Sequence, residues 1–162
     1  MVREKRSMGR RFGSILLAVL ATPLVLLVIL PLALIAIILY FLNRLAVCLL
    51  VWTLCLPQGK DVLMVLSESP IWHDYMSSEI LPLVRERTVI LNWSRRTKWP
   101  RLSFAAHVFR TFRGERNSNP LVVVFRPFRG AEVFRFWQAF KDWKQGRKEP
   151  LEQLRERLLT AL

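Results

Sequence analysis

With 162 residues, 25 lysines and arginines against 12 acidic side chains and a formal net charge of +13, the chain has room for one domain and an anchor. Its two cysteines, Cys48 and Cys55, share an apolar run, and its two histidines, His73 and His107, lie far apart. That pattern excludes a disulfide framework and a Cys/His metal centre, and the basic excess favours anionic partners over cationic ones.

Residues 1–13 form a basic tail: Arg3, Lys5, Arg6, Arg10 and Arg11 stand against Glu4 alone. Residues 14–57 follow as a membrane-seeking run in which nothing from Ser14 to Tyr40 is charged. About 20 apolar residues span a bilayer core of about 30 Å. The apolar core of a secretory signal is only about 7–15 residues long, so the run reads as an uncleaved anchor with its tail in the cytosol.

Asn43 and Arg44 interrupt the run, and residues 45–56 are apolar again. As helix the whole run reaches roughly 64 Å, enough for a tight helical hairpin turning near Pro23 or Pro31. The alternative is a single transmembrane helix followed by an interfacial helix, with Trp52 at headgroup depth. Arg44 would cost the hairpin about 2.5–3.5 kcal/mol near the bilayer centre. The hairpin nevertheless keeps the basic domain in the cytosol and is the expected form, giving a membrane protein with a cytoplasmic C-terminal domain.

Residues 58–162 read as a small basic α/β domain. The continuous apolar run 61–67 predicts a strand buried on both faces. Ser69 and Pro70 open a helix carrying Trp72, Met76 and Ile80, with a kink or restart at Pro82. Residues 88–93 predict a second strand and 94–99 a basic loop. Pro100 opens a helix that ends at Arg110, Arg113 and Gly114. Residues 115–119 are turn-like, 121–126 a third strand, 132–145 a broad aromatic helix, and Pro150 starts a last helix to about Leu162. Strands alternating with helices predict a three-stranded parallel, Rossmann-like βαβαβα domain.

In parallel sheets, ligands bind beyond the carboxyl ends of the strands. Three groups are expected there: Ser67, Glu68, Ser69, Trp72 and His73; Asn92, Ser94, Arg95 and Arg96; Arg126 and Arg129. Arginines, hydroxyls and tryptophan faces together suit a phosphate-bearing ligand. The alternative is that these loops face anionic lipid under the anchor and bind nothing specific. His73 and Glu68 are the candidate acid–base pair, although an acid or histidine at a helix start is more often a capping partner. No phosphate-binding glycine loop, dinucleotide fingerprint or nucleophile elbow occurs, so no cofactor and no metal are expected. The strand-end pattern is similar to that of Rossmann-like ligand domains in general, and no motif narrows it to one family.

Val108–Gly114 (VFRTFRG) and Val124–Gly130 (VFRPFRG) echo each other. Interleaved Phe and Arg can clamp single-stranded nucleic acid, but Phe filling core while Arg faces out is the simpler reading, and a nucleic-acid partner is disfavoured. The expected function is a membrane-anchored binding module for an anionic ligand or lipid headgroup. The alternatives are a transferase on a phosphorylated or lipid-linked substrate, or a scaffold that pairs with itself or with other membrane proteins.

Overall fold

The computed structural model describes the backbone of residues 2–114 and 119–162, and the side chains of Pro23 and of Val25 onward within those ranges. The side chains of the basic tail and most of the predicted turn at 115–119 lie outside it. Two compact units divide at Leu42 and Asn43.

Helix α1 (Val2–Leu50) runs without a turn through both Pro23 and Pro31. A proline removes one backbone hydrogen bond and can kink a helix without ending it. The expected hairpin is therefore corrected to one long apolar helix. It carries an 18-residue window of mean hydropathy 3.1, none of it buried, which is long and apolar enough to cross a membrane. From Val25 to Leu42 every described side chain is exposed.

In the second unit the apolar helix changes role. Val47, Cys48 and Val51 are 1%, 6% and 4% exposed and pack with Leu63, Val65, Val123 and Phe125 of the sheet and with Val108, Phe109 and Phe112 of helix α4 (Phe104–Phe112). One face of the second half of the apolar run thus packs into the core of the domain, while Leu45, Leu49, Leu50 and Leu54 on its other face stay exposed. Burying two valines contributes roughly 3–5 kcal/mol before entropy costs. Trp52 is partly buried on this face, its ring 6.0 Å from that of Phe128.

The helix ends at a proline. Over Val51–Cys55 it widens by one residue, so that the Leu56 N–H bonds back to the Val51 carbonyl. A proline ring collides with the carbonyl four residues earlier, and a widened turn moves that carbonyl aside. The same device recurs at Met76–Ile80, where the Leu81 N–H reaches Met76 O just before Pro82. It joins the short helices α2 (His73–Tyr75) and α3 (Leu81–Val84).

The sheet has four strands in the order β2-β1-β3-β4. β1 (Val62–Leu66) pairs parallel with β2 (Thr88–Asn92) and antiparallel with β3 (Leu121–Arg126). β3 pairs antiparallel with β4 (Gly130–Arg135). The three-stranded parallel, Rossmann-like arrangement is corrected to this mixed sheet. The predicted aromatic helix over 132–145 divides into β4 and helix α5 (Phe136–Lys144). The other sheet face, with Met64, Val122 and Phe134, is covered by Met76 and Ile80, by Phe140 of α5 and by Leu151 and Leu158 of helix α6 (Glu149–Ala161). β1 and β3 are central and buried on both faces, which is why they read as unbroken apolar runs.

Candidate functional site

The mixed sheet splits the predicted site. β1 and β2 are parallel, so their carboxyl ends share one edge, and the loops that follow meet there. The Glu68 N–H donates to Ser94 Oγ (3.0 Å), Asn92 Nδ2 donates to Glu68 Oε1 (2.7 Å), and the Ser94 N–H donates to Asn92 Oδ1 (2.9 Å). Arg95 Nε lies 3.4 Å from Glu68 Oε1. The Arg96 guanidinium stands 5.0 Å from the Trp93 ring centre. All of this hangs on one short helical loop, Trp93–Lys98, capped by the Asn92 side chain. Asn92 therefore does what a strand-end Asn does best, closing its own loop.

Ser67, Trp72 and His73 belong to the same edge but face inward. Trp72 Nε1 donates to Ser67 Oγ (3.1 Å), and its ring packs edge-on against Trp137, 5.2 Å away. His73 Nδ1 lies 3.3 Å from the Ser67 carbonyl, and Ser69 O accepts the His73 N–H. Ser67 is buried and Trp72 joins the aromatic core with Tyr75 and Phe140. Among the described residues no hydroxyl–imidazole–carboxylate relay forms around His73 or Glu68, and no group of three metal-ligating side chains converges.

Arg126 and Arg129 do not join this edge. β3 runs antiparallel to β1, so its carboxyl end lies beside Asp61, where β1 begins: the Phe125 N–H donates to Asp61 O (2.9 Å). A five-residue strand, roughly 16 Å, separates the two ends. Arg126 is committed there, donating to Ala161 O (2.9 Å) and pairing with Glu132 (3.2 Å). Arg129 is exposed at the β3–β4 turn beside Phe128, which holds φ 63 and is 95% exposed.

That far edge carries residues the sequence reading passed over. Arg87 Nε donates to Asp61 Oδ1 (2.9 Å), its NH2 contacts the other carboxylate oxygen, and its NH1 donates to Leu162 O (2.8 Å). Hydrogen bonding to Asp61 raises the Arg87 pKa above its already high ordinary value, against the opposing effect of burial. The sequence signal was Asp61 itself, an acid opening an otherwise apolar strand.

The Phe–Arg echo divides as the simpler reading expects. Phe109, Phe112, Phe125 and Phe134 are buried, while Arg110, Arg113 and Arg135 are exposed. Phe128 is the exception.

A scan of protein-family models, a search of curated proteins and a search of solved structures each return no match to this chain.

Proposed function

We propose that the chain is a membrane-anchored α/β binding module whose basic loop after β2 engages phosphate-bearing anions close to a membrane surface. The observation that carries the reading is the gathering of Ser94, Arg95, Arg96 and Lys98 on one short loop at the shared carboxyl edge of β1 and β2. Arg95 is already oriented by Glu68, and both side chains are open to solvent, 70% and 54% exposed. An exposed pair of this kind is worth about 0.2–1 kcal/mol, so an incoming phosphate displaces Glu68 at small cost and gains a charge-assisted, bidentate partner.

The anchor is α1, crossing once. Five basic residues precede the apolar run, whereas only Arg44 and Lys60 fall within about 20 residues after it. That imbalance holds the tail in the cytosol and carries the domain to the opposite side. It replaces the cytoplasmic placement that went with the hairpin.

The test is thermal unfolding of the full chain in a non-ionic detergent, with inorganic pyrophosphate as the probe. At 100 times its dissociation constant a ligand adds about 2.7 kcal/mol, a shift of several degrees for a domain of this size. The shift should vanish in Arg95→Ala/Arg96→Ala. A shift that survives this pair, or none in the parent chain, removes the loop as a phosphate site.

A further inference from the structure

We infer that the pocket at the start of α4, walled by Arg101, Ser103, His107 and Arg110, binds the phosphate of an ester whose carbon part is apolar. This uses no residue of the loop after β2 and does not depend on the reading of α1 as a membrane span.

The pocket is built by local structure. The Ser103 N–H donates to Pro100 O (3.0 Å), a turn that leaves Arg101 and Leu102 at its tip. Ser103 then caps α4: its Oγ accepts the Ala106 N–H (3.3 Å), and its carbonyl accepts the His107 N–H (3.0 Å). Ala106, Val108, Phe109 and Phe112 bury one side of the helix, which turns the opposite side to solvent. Ser103, His107 and Arg110 follow one another at spacings of four and three, so they form one row on that side. His107 and Arg110 are exposed.

The turn and the row together form a pocket of about 250 Å³, lined by Arg101, Leu102, Ser103, Phe104, His107 and Arg110. Pockets for drug-sized molecules measure about 300–1,000 Å³, so this one suits a compact group. Guanidinium, imidazole and hydroxyl donors share its wall. Each guanidinium fork matches a pair of phosphate oxygens. An imidazole presents an N–H in either charge state, and the Ser103 hydroxyl keeps its own proton to donate while its oxygen serves the cap. A phosphate monoester answers with three acceptor oxygens and about −1.5 to −2 charge near pH 7.

The carbon part is read from the rest of the wall. Leu102 is 98% exposed, an apolar side chain standing bare in the lining between Arg101 and Ser103. Phe104 is the other apolar member. Covering Leu102 with hydrocarbon removes apolar surface from water, a gain that a bare inorganic anion does not supply. A phosphate carrying a short aliphatic chain therefore fits better than phosphate alone. A soluble ester and a lipid headgroup with its acyl chains both offer that chemistry.

The experiment takes the full chain in a non-ionic detergent at fixed pH and follows its imidazole signals by NMR. The sequence holds two histidines, and His107→Gln identifies the signals of the pocket. Inorganic phosphate should shift the His107 signals saturably and leave those of His73 in place. Butyl phosphate should saturate at a concentration at least about four-fold lower, the factor for burying one methylene, and Leu102→Ser should remove that advantage. Arg101→Gln and Arg110→Gln should each weaken the titration roughly ten-fold, the factor for one charge-assisted hydrogen bond. Lys144→Gln/Lys148→Gln removes charge from the α5–α6 connection and should change nothing. An equal shift with sodium chloride at the same ionic strength, or titrations untouched by both arginine variants, overturns the site. Butyl phosphate binding no better than inorganic phosphate overturns the apolar part. Nanodiscs of phosphatidylcholine, alone and with phosphatidic acid at 4:1, separate the sources. A His107 shift on adding phosphatidic acid, lost in Arg110→Gln, assigns the lipid headgroup; identical signals in both nanodiscs, with the detergent titration intact, assign a soluble ester.

Discussion

Arg87 ties three parts of the domain together with one side chain. It grips both oxygens of Asp61 at the start of β1, and it bonds the carbonyl of Leu162 just beyond the end of α6. Arg126 supports the same helix end through Ala161 O. Carbonyls at a helix C-terminus lack partners within the helix, and cationic donors there satisfy them and the dipole together. Asp61 is 5% exposed, so its charge is tolerable only because it is paired. Removing one partner of a buried pair typically costs 3–5 kcal/mol. Arg87 is itself 44% exposed, and water then reaches Asp61 more readily, so Arg87→Ala should cost about 2–3 kcal/mol. Chemical unfolding of the full chain in detergent measures this. Arg95→Ala, across the sheet at an exposed pair, should cost under about 1 kcal/mol. If the two variants prove equal, Asp61 is not the buried anchor described here.

At the scale of elements, what could be read in advance was what local pattern controls. β1, β2 and β3 follow from the runs DVLMVLS, TVILNW and LVVVFR, because a strand buried on one or both faces must be apolar there. Ser103 caps α4 by accepting from the Ala106 N–H at 3.3 Å, and Gly114 and Gly146 stop helices as their positive φ values require. β4 was lost because Val133, Phe134, Phe136, Trp137 and Phe140 form one aromatic stretch whose first part is strand and second part helix. The signal available was Pro127 and Gly130 between two VFR runs, a hairpin turn. The direction of β3 has no local code at all. One reversed strand sent Arg126 and Arg129 to the far edge, while Glu68, Asn92, Ser94 and Arg95 met as expected. The role of residues 43–56 was equally hidden, since an apolar helix buried against a sheet and one buried in lipid share a composition. This sets a test by truncation. A fragment starting at Gly59 lacks Val47, Cys48 and Val51, leaving the Phe109–Phe125 face of the sheet bare. It should fail to unfold cooperatively, whereas a fragment starting at Asn43 should keep the near-ultraviolet circular dichroism of its partly buried tryptophans and unfold in one transition. Cooperative unfolding of the Gly59 fragment would mean that α1 is only a tether.

For the whole molecule, a single uninterrupted α1 turns a question of folding into one of sidedness. Two crossings would return the chain to the side it left; one crossing separates the basic tail from everything after Asn43. From Val25 to Leu42 the helix offers lipid nothing but exposed apolar side chains, and leaving that surface in water would expose several hundred Å² of contiguous apolar area. The tail carries most of the basic residues that flank the span, and such residues resist transfer out of the cytosol. The domain, although basic overall, carries its charge in a long folded segment, and the charge of long segments has little weight in setting sidedness. A measurement that separates these cases places single cysteines at Ser7→Cys in the tail and Ser78→Cys on the exposed side of the domain, in a Cys48→Ala/Cys55→Ala background. In sealed, right-side-out membranes an impermeant maleimide should label Ser78→Cys and spare Ser7→Cys, with both labelled after lysis. Protection of both before lysis would place tail and domain on the cytosolic side together. That result would require α1 to lie on the membrane or to fold back within it.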